Sequence, residues 1–182
     1  GGLFSHLHGD CIEDVIQAIS QIRRTKPWIK FHLYGQRQPS NFLQETLQSD
    51  GCVHHGIIMP LEKKFDIMEK AHCFIIPSSF NPESHKHYRY SFPTKLPELL
   101  ASGRPILSYG PSDTSTNLLL NADNLGIRIH QRSVKILVDV FERIEADYEQ
   151  FCKDVTPNDP KILEKYSATG VRKKISRILS LV

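Results

Sequence analysis

The sequence predicts a doubly wound α/β fold, a parallel sheet covered by helices on both faces, on three observations. Short runs of about five residues, rich in β-branched and aromatic side chains, alternate with stretches whose apolar residues recur at helical spacing. The alternation of strand and helix is unbroken along most of the chain, as in parallel strands joined by crossover helices. The punctuation agrees: Gly35 closes a strand, and a helix has Pro93 near its start and Gly103 just past its end. A chain of 182 residues suits one such domain with a single core.

The elements follow in order. Gly1 to Phe4 reads as what remains of a first strand. Asp10 with Glu13 three residues on reads as a variant capping box, and Ile12, Val15, Ile16, Ile19 and Ile22 set a helix over about 11–24. Trp28 to Tyr34 alternates Ile29, Phe31 and Leu33 with Lys30 and His32, a strand that stops at Gly35 and points it to the carboxyl edge of the sheet. A helix over about 40–49, a strand at Cys52–His55, a helix over about 61–71 with Leu61, Phe65 and Met68 inward, and a strand at Cys73–Pro77 come next. A long polar loop, 78–92, precedes the Pro93 helix; strand Pro105–Tyr109, a helix near 113–122, strand Gly126–His130 and a helix over 133–150 complete the pattern. Two last helices, about 160–166 and 168–181, are split at Ser167, a cap residue. The sheet so counted has about six strands.

Composition narrows the function. With 40% hydrophobic and 24% charged residues the chain reads as a soluble globular protein, and a net charge of +3 suits an anionic ligand such as a diphosphate without marking a nucleic-acid binder. Cys11, Cys52, Cys73 and Cys152 are far apart and, with Trp28, are assigned to core packing, so they read as buried free thiols of a reducing cytoplasm. No apolar run nears the roughly 20 residues of a membrane span. No secretory leader is read at the start, and Gly1 in place of Met leads us to expect sequence upstream. A P-loop lysine motif, zinc-ligand spacing, a nucleophile elbow and G-x-G-x-x-G are all missing, which removes most competing α/β chemistries.

The informative stretch is Pro77–Gly110, P-S-S-F-N-P-E-S-H-K-H-Y-R-Y-S-F-P-T-K-L-P-E-L-L-A-S-G-R-P-I-L-S-Y-G. It joins a strand, the polar loop, a helix and a strand, so loop and helix start meet where open parallel sheets bind ligands. A helix start offers unpaired N–H groups and positive dipole, a seat for phosphate. Lys95, in the expected first turn, is unfavourable for the helix and favourable for a bound phosphate; Glu98, one turn on, can accept hydrogen bonds from sugar hydroxyls. Around them the bland reading competes at every position. His6 and His8 are surface histidines, phosphate donors or a metal pair; His85, Lys86, His87 and Arg89 are solvated charge or a ligand contact. His54 and His55 point to opposite faces, so only one can meet a ligand. The basic residues Arg172, Lys173, Lys174 and Arg177 form a solvated helix face, or a membrane or inter-domain surface.

The run P-T-K-L-P-E-L-L-A-S-G-R-P-I resembles the donor-site helix of the GT-B glycosyltransferases, the superfamily with two Rossmann-like domains that includes many polysaccharide and lipid-linked sugar transferases. H-H-G-I-I around Gly56 resembles the strand-end turn beside the nucleobase, A-H-C-F-I-I-P-S-S the strand before the donor loop, and G-G-L-F-S-H-L-H-G-D the Gly-rich loop beside the pyrophosphate. Together these cover about residues 1–130, in the family's order. The resemblance implies one nucleotide-sugar-binding half, residues 1–182, with Glu98 on the ribose, Lys95 on the diphosphate, and Thr94, Ser5, His8, Gly35, Ile57 and Tyr90 completing the donor site. Departures accompany it: Tyr90 stands where the pattern has an acid, with Glu83 as its substitute from the loop, and Leu3 and His8 stand where the opening loop has Arg and Lys.

On this resemblance the intact protein transfers a sugar from a nucleotide diphosphate sugar to an acceptor, without a metal or other cofactor. Its acceptor pocket and catalytic groups belong to an N-terminal domain preceding Gly1, and a peripheral membrane contact of the intact protein is a further expectation. A nucleotide-sugar epimerase half shares the same Glu98 seat, and a non-catalytic domain that kept the fold but lost the donor site accounts for Leu3 and Tyr90. Thiol titration of the denatured, non-reduced protein is expected to count four; two or none overturns the reducing-compartment reading.

Overall fold

Helix α1 spans Ser5–Ile22 and buries Cys11, Val15, Ala18, Ile19 and Ile22, a stripe at helical spacing. The computed structural model describes residues 5–35, 49–57, 61–156 and 160–180. Strand β1 (Phe31–Leu33) pairs in parallel with β2 (Cys52–His54), and a second ladder runs β3 (Phe74–Pro77), β4 (Ile106–Tyr109), β5 (Ile127–Ile129), also all parallel. Between and after them lie helices α2 (Leu61–Lys70), α3 (Pro82–Tyr90), α4 (Leu96–Ala101), α5 (Ser115–Ala122), α6 (Val134–Ala146), α7 (Tyr148–Val155), α8 (Pro160–Tyr166) and α9 (Ala168–Leu179).

The double winding is visible at β4. Its Leu107 and Tyr109 face a core made with α1 and α6, while Ile106 faces a second core of Leu96 and Leu100 from α4 and Leu120 from α5. Period-two alternation along one buried strand thus divides its side chains between helices on opposite faces. The α/β class and the parallel sense stand as the sequence predicts. The single sheet of about six strands does not: the five described strands form two sheets, of two and three strands. Both lean on one core, because Phe31 of the first ladder and Ile75 of the second pack against the cluster to which α1 contributes its buried stripe. The expected first strand, Gly1–Phe4, and the helix over 40–49 lie outside the described residues, 49 excepted.

Several boundaries move for identifiable reasons. α1 begins at Ser5 and not near 11, since the Asp10 carboxylate does not cap it: Oδ1 accepts from the Cys11 amide at 2.9 Å and Oδ2 from the Phe80 amide at 2.8 Å. The loop expected over 78–92 contains α3, which Asn81 caps by accepting from the Glu83 amide at 2.9 Å, with Pro82 in the first turn. The helix expected over 133–150 breaks at Asp147, whose carboxylate caps α7 through the Gln150 amide at 3.0 Å. Ser167 does divide the last two helices, its hydroxyl accepting from Gly170 N at 3.0 Å. Two residues assigned inward face solvent. Trp28 is 62% exposed because it stands in the turn before β1, and Phe65 is 56% exposed because α2 turns only Met68 into the protein among its described side chains.

One polar cluster ties the layers. Asp14 of α1 is buried and accepts from Tyr109 Oη at 2.8 Å and from Arg132 Nε and Nη2 at 2.8 and 3.0 Å. The phenol oxygen in turn accepts from the Ser133 amide, 3.0 Å away, at the start of α6. Burial and then the Asp14 bond push the Tyr109 hydroxyl well above the ordinary tyrosine range, so it stays a donor. Asp14→Ala is expected to lower the unfolding free energy by about 2–3 kcal/mol, since it leaves a buried phenol and a guanidinium unmatched; Tyr109→Phe, which removes fewer bonds, should cost about 1 kcal/mol. Urea unfolding of the two variants checks the order.

Candidate functional site

In a parallel layout each helix that follows a strand begins at that strand's carboxyl end, so the first turns of α3 and α5 and the 91–95 turn open on one edge of the three-stranded sheet, and α2 begins at the carboxyl end of β2. The start of α1 joins them there, because the Ser79 amide after β3 donates to Leu7 O at 3.3 Å. Strand ends approach closely at this edge: a Cβ on Gly110, after β4, would stand 2.5 Å from Ser78 O.

Helix α3 is tied down at two points. Tyr88 Oη donates to Leu7 O at 2.5 Å and lies 2.8 Å from His8 Nδ1. The carbonyl can only accept, so it takes the phenol's proton; His8 must then be the donor at Nδ1, which sets its tautomer. Burial first, then the charges of Cys11 and Asp10, raise the Tyr88 hydroxyl far above its usual range. On the other side His85 Nε2 lies 2.7 Å from Asp113 Oδ1, with Arg89 Nε 4.0 Å from Oδ2, and Ser115 donates its hydroxyl to Ser91 O. The cationic run His85–Arg89 is therefore partly committed within the protein.

Leu96 and Leu100, both buried, anchor α4 and leave Thr94, Lys95 and Glu98 exposed. Lys95 is the N-cap residue, in helical conformation and with no side-chain cap bond. The helix is shorter than the sequence suggests, six residues from Leu96. Its amide seat is correspondingly small: Leu96 N is bound to Pro93 O, Pro97 has no N–H, and Leu99 N is bound to Lys95 O. Only the Glu98 amide among these has no backbone partner among the described residues. Glu98 itself receives an ion pair from Lys64 of α2, a contact that nothing in the local pattern of either segment signals.

The other predicted residues are spread along the edge. Ser5 opens α1, and His8 lies inside that helix and not in a loop. Tyr90 ends α3, 82% exposed, with the Arg89 guanidinium 5.8 Å from its ring centre. Gly35 donates to Gly56 O at 2.8 Å at the end of the β1–β2 ladder, where Ile57 is exposed. His54 and His55 do diverge: His54 Nε2 reaches Gly35 O at 3.1 Å, while His55 stacks on Tyr34 at 4.4 Å and lies 2.8 Å from His32 Nδ1. Burial, then the charges of His55 and Lys30, hold the His32 imidazole below its ordinary range. A groove of ≈ 340 Å³ runs along the flank of α1 past Glu13, Gln17 and Arg24, away from all of these residues. Among the described residues no three His, Cys, Asp or Glu side chains gather to hold a metal ion, and no helix is long and apolar enough to cross a membrane.

A doubly wound α/β domain of parallel strands is one Rossmann-like half of the GT-B architecture. Residues 2–147 match the family described as Glycosyl transferases group 1, and the chain belongs to that family as a glycosyl-transfer domain. No curated protein matches it. Tyr88→Phe is expected to speed amide exchange over residues 5–10 and 82–90 by about fivefold, the equivalent of one hydrogen bond of about 1 kcal/mol. Unchanged protection in mass-spectrometric exchange would show that the phenol does not hold α3 to α1.

Proposed function

We propose that this chain supplies the donor site of a glycosyltransferase that takes a sugar from a nucleotide diphosphate sugar and passes it to an acceptor. The observation that carries the reading is the pairing of Lys95 and Glu98, three residues apart on the solvent side of α4 in a domain of the group 1 family. Transfer breaks the bond between the sugar and its diphosphate, and the leaving group departs with added negative charge. A cation held at that spot lowers the barrier. Lys95 fills this role, helped by the Glu98 amide, and no divalent cation is invoked. Because the helix start is so short, Lys95 carries most of the charge stabilisation. The Glu98 carboxylate accepts from the ribose hydroxyls, while Thr94, Ser5 and His8 border the phosphates and Gly35, Ile57 and Tyr90 border the rest of the nucleotide.

The acceptor pocket and the groups that act on the sugar belong, in this reading, to an N-terminal partner domain across a cleft, so residues 1–182 bind without turning over. Four unpaired thiols favour a cytoplasmic location, and Arg172, Lys173, Lys174 and Arg177 of α9 would suit a peripheral contact with an anionic membrane.

The two site residues should behave differently. Glu98→Gln is expected to weaken a nucleoside diphosphate and its nucleoside by the same amount, on the order of 1.5–3 kcal/mol. Lys95→Met should weaken the diphosphate alone, and that loss should shrink as salt rises. Calorimetry with UDP, GDP and ADP beside their nucleosides tests both. No binding by the unmutated chain at millimolar ligand would favour a domain that has lost its donor site.

A further inference from the structure

Lys64 stands in the first turn of α2, which follows β2. A cation in a helix's first turn opposes the helix dipole, so its placement there asks for another reason. Its ammonium reaches Glu98 Oε2, and its side chain is 26% exposed against 49% for the glutamate, a stem laid on the protein with the charge at its tip. The two helices are joined a second time. Arg104, just past α4, donates from Nη2 to Glu69 O of α2 at 2.6 Å and from Nη1 to Tyr148 Oη at 3.3 Å, and that phenol donates to His72 O at 3.0 Å. The segment that carries Glu98 is thus tied to α2 at both of its ends.

Glu98 Oε1 has no partner among the described residues. An ionised carboxylate offers several acceptor positions on its two oxygens, so one oxygen can hold the ammonium while the other serves a hydroxyl. An unanchored glutamate on the surface samples many rotamers, and a ligand must stop that motion on binding. We propose that Lys64 is a positioning residue of the donor site, which takes one oxygen of Glu98 and turns the other to the ribose of the nucleotide. The inference rests on the donor-site reading above and adds to it a residue from a different helix.

The test is calorimetry on the full chain with uridine, guanosine and adenosine and their diphosphates, for Lys64→Met, Lys64→Arg, Glu98→Gln and the double variant K64M/E98Q, with circular dichroism to verify folding. Lys64→Met should weaken the nucleoside and its diphosphate by the same factor, roughly three- to tenfold, Lys64→Arg should recover most of the loss, and Lys64→Met should change nothing further once Glu98 is Gln. The inference is overturned if Lys64→Met leaves the nucleoside unaffected, weakens only the diphosphate, or adds in full to Glu98→Gln. If Glu98→Gln weakens binding and Lys64→Met does not, Lys64 alone is misassigned; if the unmutated chain binds none of these ligands, the donor-site reading fails and this inference with it.

Discussion

The buried carboxylate of Asp14 is the constraint on which the rest of the structure depends. A charge in that position, on the inner face of α1, is tolerable only if its lone pairs are matched, and Tyr109 Oη with the Arg132 fork matches them. Each partner belongs to a different element. Tyr109 ends β4, Arg132 precedes α6, and the Ser133 amide that caps the arrangement starts that helix. Cys11, a turn earlier in α1, donates to Ser78 O at 3.4 Å and stays a thiol, its acidity suppressed by burial and by the charge of Asp10. The helix, the central strand and the covering helix therefore have one mutual position, and the carboxyl ends of β3 and β4 are set by it.

From that fixed base the ligand edge divides into a committed part and an open part. Tyr88 joins α3 to α1, His85 joins it to Asp113 before α5, and Ser115 at the start of α5 holds Ser91 just past α3. Those contacts use His8 Nδ1 and His85 Nε2, two of the ring nitrogens that sequence alone offers to a ligand. Lys95 has neither a capping bond nor an ion pair among the described residues, so its ammonium is not committed within the protein. Leu96 and Leu100 make this possible by holding α4 from beneath.

The departures from the GT-B pattern take a physical form in α3. Tyr90, in the position of the expected acid, closes that helix and faces solvent, whereas Glu83 sits in its first turn, at the opposite end. A nine-residue helix here places the two about two turns apart, so they cannot share one location. The signal for this helix was present in Asn81-Pro82-Glu83, a cap, a first-turn proline and a first-turn acid, but the polarity of the segment hid it because α3 buries only Ser84.

The sequence by itself determined the class of fold, the parallel sense of the strands and the alternation of strand and helix, because period-two and helical spacing and Pro and Gly punctuation are all properties of neighbouring residues. Ser167 as a divider belongs to the same local grammar. Only the tertiary structure decided which carboxylates meet which cations. Lys64 and Glu98 are 34 residues apart, Tyr109 and Asp14 are 95, and Arg132 and Asp14 are 118. It also decided that Trp28 faces water and that His8 belongs to Tyr88. Local periodicity says which side of an element is apolar, but the partner of a polar group depends on how whole elements pack, and that is fixed by the three-dimensional balance of burial and hydrogen bonding.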